Sequence, residues 1–179
     1  MIDLHGYNRY LEVGCGNDDT FAEIICRTKV GVDSTSGGTL RMTSDEFFAQ
    51  NDEKFDLIFI DGYHHHDQVF KDITNALAAL TTRGMLVLHD CSPRNPYEEG
   101  PHRCYTAWRA FAQFRDHPRL DSMVCNFDYG VGLIMQRPNR SPFDVGLSMD
   151  ELTFDDLVEN RVEILNLKEA DEVIEWVLN

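Results

Sequence analysis

Residues 10–16 read Tyr-Leu-Glu-Val-Gly-Cys-Gly, and a second short apolar run ends Val30-Gly31-Val32-Asp33. No other feature of the chain restricts its fold as much. A buried strand runs into a glycine turn, and the neighbouring strand closes on a carboxylate 19 residues after Gly14. Glycine at 14 and 16 lets the backbone bend sharply and approach a ligand with no Cβ in the way. A carboxylate at the tip of the next strand can accept hydrogen bonds from both hydroxyls of a ribose. The pair predicts a nucleoside site at the carboxyl end of a parallel sheet.

The residues after the turn narrow the ligand. A dinucleotide fingerprint wants a third glycine, so that the next helix presents its N-terminus to a pyrophosphate. Here Asn17-Asp18-Asp19 follows, and Asp19 holds that position. Carboxylates suit the N-terminus of a helix but repel a pyrophosphate there. They suit a phosphate-free cofactor with a positive centre, and S-adenosylmethionine (SAM), with its sulfonium, is such a molecule.

Alternation along the chain predicts the architecture. Strands are expected over 9–14, 29–33, 55–60 and 85–89, with an abbreviated third strand at 39–42. Helices are expected over 18–27 (Phe21, Ile24, Ile25), from a Thr43/Glu46 capping box, and over 66–80 (Val69, Ile73, Leu77, Leu80). Gly84 is read as breaking the last of these. A loop over 91–102 holds three prolines, and a helix over 103–115 follows. Strands 121–127 and 131–136, joined through Asp128-Tyr129-Gly130, form a closing hairpin. The fold class is α/β: a doubly wound, Rossmann-like, mostly parallel seven-stranded sheet with a C-terminal antiparallel hairpin and a short helical tail. Residues 1–138 form the cofactor-binding domain. Residues 139–179 form an acidic tail, helical near 152–160 and 168–178, packed on the domain or on a partner subunit.

Four segments in order resemble the class I SAM-dependent methyltransferases. Glu12-Val13-Gly14-Cys15-Gly16 resembles their first motif, and Asp33 matches their second-motif acid. Phe55 to His65, with Ile60-Asp61-Gly62-Tyr63-His64-His65, resembles a branch with an Ile-Asp-Gly-x-His signature that modifies sugars and secondary metabolites. Gly84 to Asp90 resembles its next strand, which ends in His-Asp. The resemblance covers about residues 9–137. It implies a SAM-dependent methyltransferase acting on a small hydroxylated acceptor. Cofactor-binding residues are then Glu12, Gly14, Cys15, Gly16, Asp33, Ser34, Ser44, Asp45 and Asp61. One departure is Asp18, where many members carry glycine.

Asp61 and Asp90 end two strands that are adjacent in such a sheet. Their convergence leaves two chemistries open. One is a divalent metal held by Asp61 and Asp90, although Cys91 stands where related enzymes place a third oxygen ligand. The other is a histidine base for an acceptor hydroxyl, with His65 and His89 as candidates; Asp61, His65, His89 and Asp90 are the catalytic set. In the run His64-His65-His66, adjacent side chains diverge, so at most one or two can face a common site. A SAM-binding protein without transferase activity is the alternative reading, and Asp19 disfavours a nicotinamide oxidoreductase.

Charge sets the remaining expectations. The net charge is −15, and residues 144–179 hold 11 acidic residues against Arg161 and Lys168. Such a field repels nucleic acid and anionic membranes. The partners expected are a small-molecule acceptor and, through the apolar residues of the tail, a second copy in a homodimer. Five cysteines with no C-x-x-C pair predict reduced thiols. No apolar run is long enough to span a membrane and no secretion signal is visible, so the expected location is cytoplasmic.

Overall fold

The computed structural model describes residues 2–178. One mixed sheet of eight strands runs through it. In chain order these are β1 (Arg9–Val13), β2 (Thr28–Asp33), β3 (Leu40–Arg41), β4 (Phe55–Ile60), β5 (Leu80–Leu88), β6 (Asp121–Cys125), β7 (Val131–Met135) and β8 (Leu167–Lys168). Their order across the sheet is β3-β2-β1-β4-β5-β7-β6-β8. The first five are parallel to one another, and β7 pairs antiparallel with both β5 and β6. The eighth strand departs from the seven expected: Leu167–Lys168 of the tail pairs in parallel with Val124–Cys125. Leu11, Ile58, Leu86, Trp108, Phe111 and Ile134 are fully buried in the main core.

Among the described residues seven helices flank the sheet: α1 (Ile2–His5), α2 (Asp19–Glu23), α3 (Ser44–Gln50), α4 (His66–Ala79), α5 (Ala107–Ala112), α6 (Phe154–Leu165) and α7 (Ala170–Leu178). Three differ from the periodicity for identifiable reasons. Helix α2 is half the expected length because Asp18 stands at φ 66 before it and Ile24 turns extended after it. The Lys29 ammonium then donates to the carbonyls of Phe21 and Ile24, at 2.6 and 3.1 Å, and takes up the orphan acceptors of that helix end. Phe21 is buried, whereas Ile25 faces solvent. Gly84 does not break a helix: α4 has ended at Ala79, and β5 already runs from Leu80 through Gly84. Pairing shifts between Phe55 and Leu57, and a Cβ on Gly84 would come within 3.0 Å of the Asp56 carbonyl. Glycine marks a bulge there. Helix α5 is shortened because Tyr105 sits at φ 49 just ahead of it.

The Thr43/Glu46 capping box forms as expected, and all five cysteines are free. Leu152, Leu157, Ile164 and Leu165 of the tail join the main core. The buried Arg115 guanidinium ties this packing together, donating to the carbonyls of Ser122, Ser141, Glu163 and Ile164. Among the described residues no helix is long and apolar enough to cross a membrane.

Candidate active site

Three backbone hydrogen bonds carry the parallel register past the ends of the central strands. Gly14 N donates to Val32 O at 2.8 Å, Asp61 N to Val13 O at 2.8 Å and His89 N to Ile60 O at 3.0 Å. The glycine turn, Asp61 and His89 are therefore laid side by side at the carboxyl edge. This is also where strand order reverses, with β2 on one side of β1 and β4 on the other, the expected place for a ligand. Gly14 has no substitute: its φ is +88, and a Cβ would lie 2.3 Å from the Asp61 carbonyl oxygen. Asp18, in the left-handed region, accepts from Gly38 N at 2.6 Å. That conformation suits glycine and is tolerated by Asp.

A cavity of about 600 Å³ opens over these turns. Its wall includes Glu12, Gly14, Cys15, Gly16, Asp33, Ser34, Ser44, Asp45 and Asp61. The lining holds six acids, namely Glu12, Asp19, Asp33, Asp45, Asp61 and Asp72, and no lysine, arginine or histidine. Asp33 is held by its own turn. Oδ1 accepts from Thr35 N, Thr35 Oγ1 and Ser36 N, while Oδ2 accepts only from Gly16 N, at 2.9 Å. Burial alone would raise its pKa, but these donors outweigh burial and hold it at about 2. Oδ2 keeps acceptor capacity for a ligand hydroxyl. Glu12, under the turn, is pushed up to about 7 by burial, against the hydrogen bond it takes from Tyr10. Asp72 is pushed up to about 6, again mainly by burial. Gln68 links it to the adjoining turn, donating to Asp72, Asp45 and Ser44 at 3.1, 3.0 and 3.2 Å.

Beside the cavity stands a second, denser cluster. His64 Nε2 lies 3.2 Å from Asp61 Oδ1, and its Nδ1 lies 3.1 Å from the Arg103 carbonyl oxygen and pairs with Asp90 Oδ2 at 2.9 Å. His89 Nδ1 lies 3.1 Å from the same Asp61 oxygen, and its Nε2 lies 3.3 Å from Asp128. Burial would lower the His64 pKa, but its bonds to Asp61 and Asp90 raise it to about 10. His89 is raised to about 9, chiefly by its bond to Asp61. Burial would raise Asp61; the bonds from both histidines hold it below the usual carboxylate value. At neutral pH the cluster is thus two imidazolium ions bracketing ionised Asp61. Asp90 adopts φ 59, a conformation that costs a non-glycine residue energy and that collects at functional sites.

Residues 12–91 match the family model described as "Methyltransferase domain". The stretch that holds the glycine turn and the His–Asp cluster is thus similar to a methyltransferase domain. The match runs from Glu12 of the glycine turn to Cys91 and so takes in Asp33, Asp61, His64, His89 and Asp90. No curated protein matches the chain in sequence. Solved structures share the fold at low identity. The SAH-bound methyltransferase PaMTH1 of Podospora anserina is 18% identical with a TM-score of 0.57, over 76% of this chain and 74% of that one. An O-methyltransferase of Bacillus cereus, in complex with SAH, is 12% identical with a TM-score of 0.55, over 74% and 75%. The O-methyltransferase TomG of Streptomyces achromogenes, involved in tomaymycin synthesis and in complex with SAM, is 12% identical with a TM-score of 0.53, over 76% of each chain.

All nine residues expected at the cofactor line one cavity. Of the catalytic set, Asp61, His89 and Asp90 converge, but His65 does not join them. Its Nδ1 accepts from Asp67 N and caps α4, and its ring stacks on Tyr63. His64 takes the expected place of His65. The signal for it lay in the sequence: in Asp61-Gly62-Tyr63-His64 the signature histidine is the third residue after the acid. Asp72 and Asp128 had no such signal. A hard divalent cation does not fit between Asp61 and Asp90, because the His64 ring already bridges them. The next residue, Cys91, is fully buried, and burial raises its thiol pKa, so it offers no anionic ligand.

Proposed function

We propose that the protein is a SAM-dependent methyltransferase that methylates a hydroxyl group of a small acceptor, a sugar or a secondary metabolite. One observation carries this reading. A cavity lined by six acids and no basic residue meets, at Asp61, a cluster of two histidines and two further acids. The acidic lining disfavours a pyrophosphate and favours a cationic ligand. In this reading Asp33 takes the ribose hydroxyls, and Ser44, Asp45 and Gln68 the adenine edge.

The cofactor would supply the methyl group on a positively charged sulfur. Asp61 faces both halves, and its Oδ2 is free of the histidines, which both bind Oδ1. An acceptor hydroxyl can donate to it there. Beside a bound cationic cofactor the charged forms of His64 and His89 would be disfavoured. The one that released its proton to solvent would, as neutral imidazole, accept the proton of the hydroxyl. Alignment of that oxygen with the methyl group would supply much of the rate. Tyr63, exposed at the rim and edge-on to Tyr105, offers an aromatic face to a flat or sugar-like acceptor.

Ligand-induced stabilisation tests the cofactor, since only a ligand of the folded state raises the melting temperature. S-adenosylhomocysteine should raise it and NAD should not; the reverse result would refute the proposal. Transfer of a labelled methyl group from SAM to a panel of sugars and phenols then tests the reaction. Binding with no transfer to any member would favour a SAM-binding protein without transferase activity.

A further inference from the structure

We propose that His65, His66 and Asp67, with Asp150 from the tail, form a site for a divalent transition metal of the zinc class. This site is separate from the Asp61–His64–Asp90 cluster and does not depend on the methyltransferase reading. One donor atom from each of His65, His66 and Asp67 lies within 4.8 Å of the other two. His66 Nε2 stands 3.1 Å from Asp150 Oδ1 and 3.8 Å from Asp67 Oδ1, and His65 Nδ1 stands 3.6 Å from Asp67 Oδ2. In a tetrahedral zinc site with bonds near 2.0–2.1 Å, ligand atoms are ~3.3 Å apart. These three separations lie within about half an ångström of that value.

The position of His66 is itself suggestive. Its side chain is 9% exposed. Nδ1 lies 2.9 Å from Thr106 Oγ1, which also accepts the His66 backbone N–H at 3.0 Å. The hydroxyl fixes one ring nitrogen and turns the other toward carboxylates, the part that an outer hydrogen-bond acceptor plays for a metal-binding histidine. The 3.3 Å bond from Asp67 N to His65 Nδ1 is weak enough for coordination to replace. The donor set has two imidazoles and two carboxylates, which suits zinc better than magnesium or calcium. The two carboxylates carry two negative charges that a dication cancels. The N-terminus of α4 opposes it with only about half a unit charge. Occupancy would join the tail to the start of α4, one residue from His64.

The test is calorimetric titration of the metal-stripped full chain with Zn²⁺, and visible absorption with Co²⁺. One equivalent should bind, and the Co²⁺ spectrum should be tetrahedral without a thiolate charge-transfer band. Asp150→Asn, at a side chain 86% exposed whose change leaves the fold alone, should weaken binding by at least ~10-fold. His66→Gln should do the same, and Thr106→Val should weaken it ~10–100-fold. If His66→Gln fails to fold, Asp150→Asn decides. Absence of saturable binding, a thiolate band, or unchanged affinity in Asp150→Asn would overturn the proposal. So would affinity lost in His64→Gln and kept in His66→Gln, which would move the ion to the other cluster.

Discussion

The two halves of the site are held by different kinds of bond. On the cofactor side, Asp33 is fixed by the backbone amides of Gly16, Thr35 and Ser36. On the proposed acceptor side, Asp61, His64, His89 and Asp90 are held chiefly by one another. Backbone anchors depend on the conformation of one turn and tolerate change elsewhere. A side-chain network depends on every member, and on strands far apart in sequence. The first half should therefore lose affinity when broken, and the second should lose chemistry.

The largest expected effect comes from the region that holds the acceptor side from outside. Truncation after Pro142 removes Leu152, Leu157, Ile164 and Leu165, all at 0–1% exposure. At about 1.5–3 kcal/mol per buried aliphatic side chain, the loss rivals the ~5–15 kcal/mol that holds a whole domain. The product should be insoluble or unfolded; a soluble, monodisperse and active one would show that the tail is dispensable.

Next comes the network itself. Asp90→Asn keeps a residue that tolerates φ 59 and removes only the charge facing His64. With His64→Gln, it should lower turnover by about 10²–10⁴-fold and leave S-adenosylhomocysteine affinity within a few-fold of the parent. Equal losses in both quantities would erase the contrast between the halves. Asp33→Ala is the complement. It should cost on the order of 2–4 kcal/mol of cofactor binding, with turnover at saturating SAM close to parental. Because Asp33 also anchors residues 34–36, Asp33→Asn separates lost charge from a loosened loop. Calorimetry showing parental affinity in both variants would misplace the ribose.

The smallest effect is a dependence on pH. The folded-state pKa of His89 is raised from 6.5 to about 9. Its stabilising contribution is therefore complete below pH 6.5 and is lost as pH rises through 9. Urea midpoints of the parent and His89→Gln should differ most below pH 6.5 and converge by pH 9–10. A gap that widens over that range would show that His89 is neutral in the folded protein.

The glycine turn, its partner acid and the Thr43/Glu46 cap are local. Each needs particular residues at fixed offsets on one stretch of backbone, so the linear chain specifies them, and with them the alternating α/β fold. The glycine turn and its acid were readable for that reason: Gly14, Gly16 and Asp33 are bound to positions within one βαβ unit. Other features depend on distant partners. Lys29 ends α2 by reaching back from β2, and Leu167–Lys168 becomes a strand only because the edge of β6 is there to pair with. His64 rather than His65 enters the cluster because the chain turns into α4 after it. That turn sends His64 toward Asp61 and Asp90, and His65 and His66 toward Asp67 and Asp150. Residue type made all three histidines equivalent, and in the sequence only the spacing from Asp61 set His64 apart. Which carboxylates each one meets was decided by packing, a property that only the assembled sheet and helices can confer.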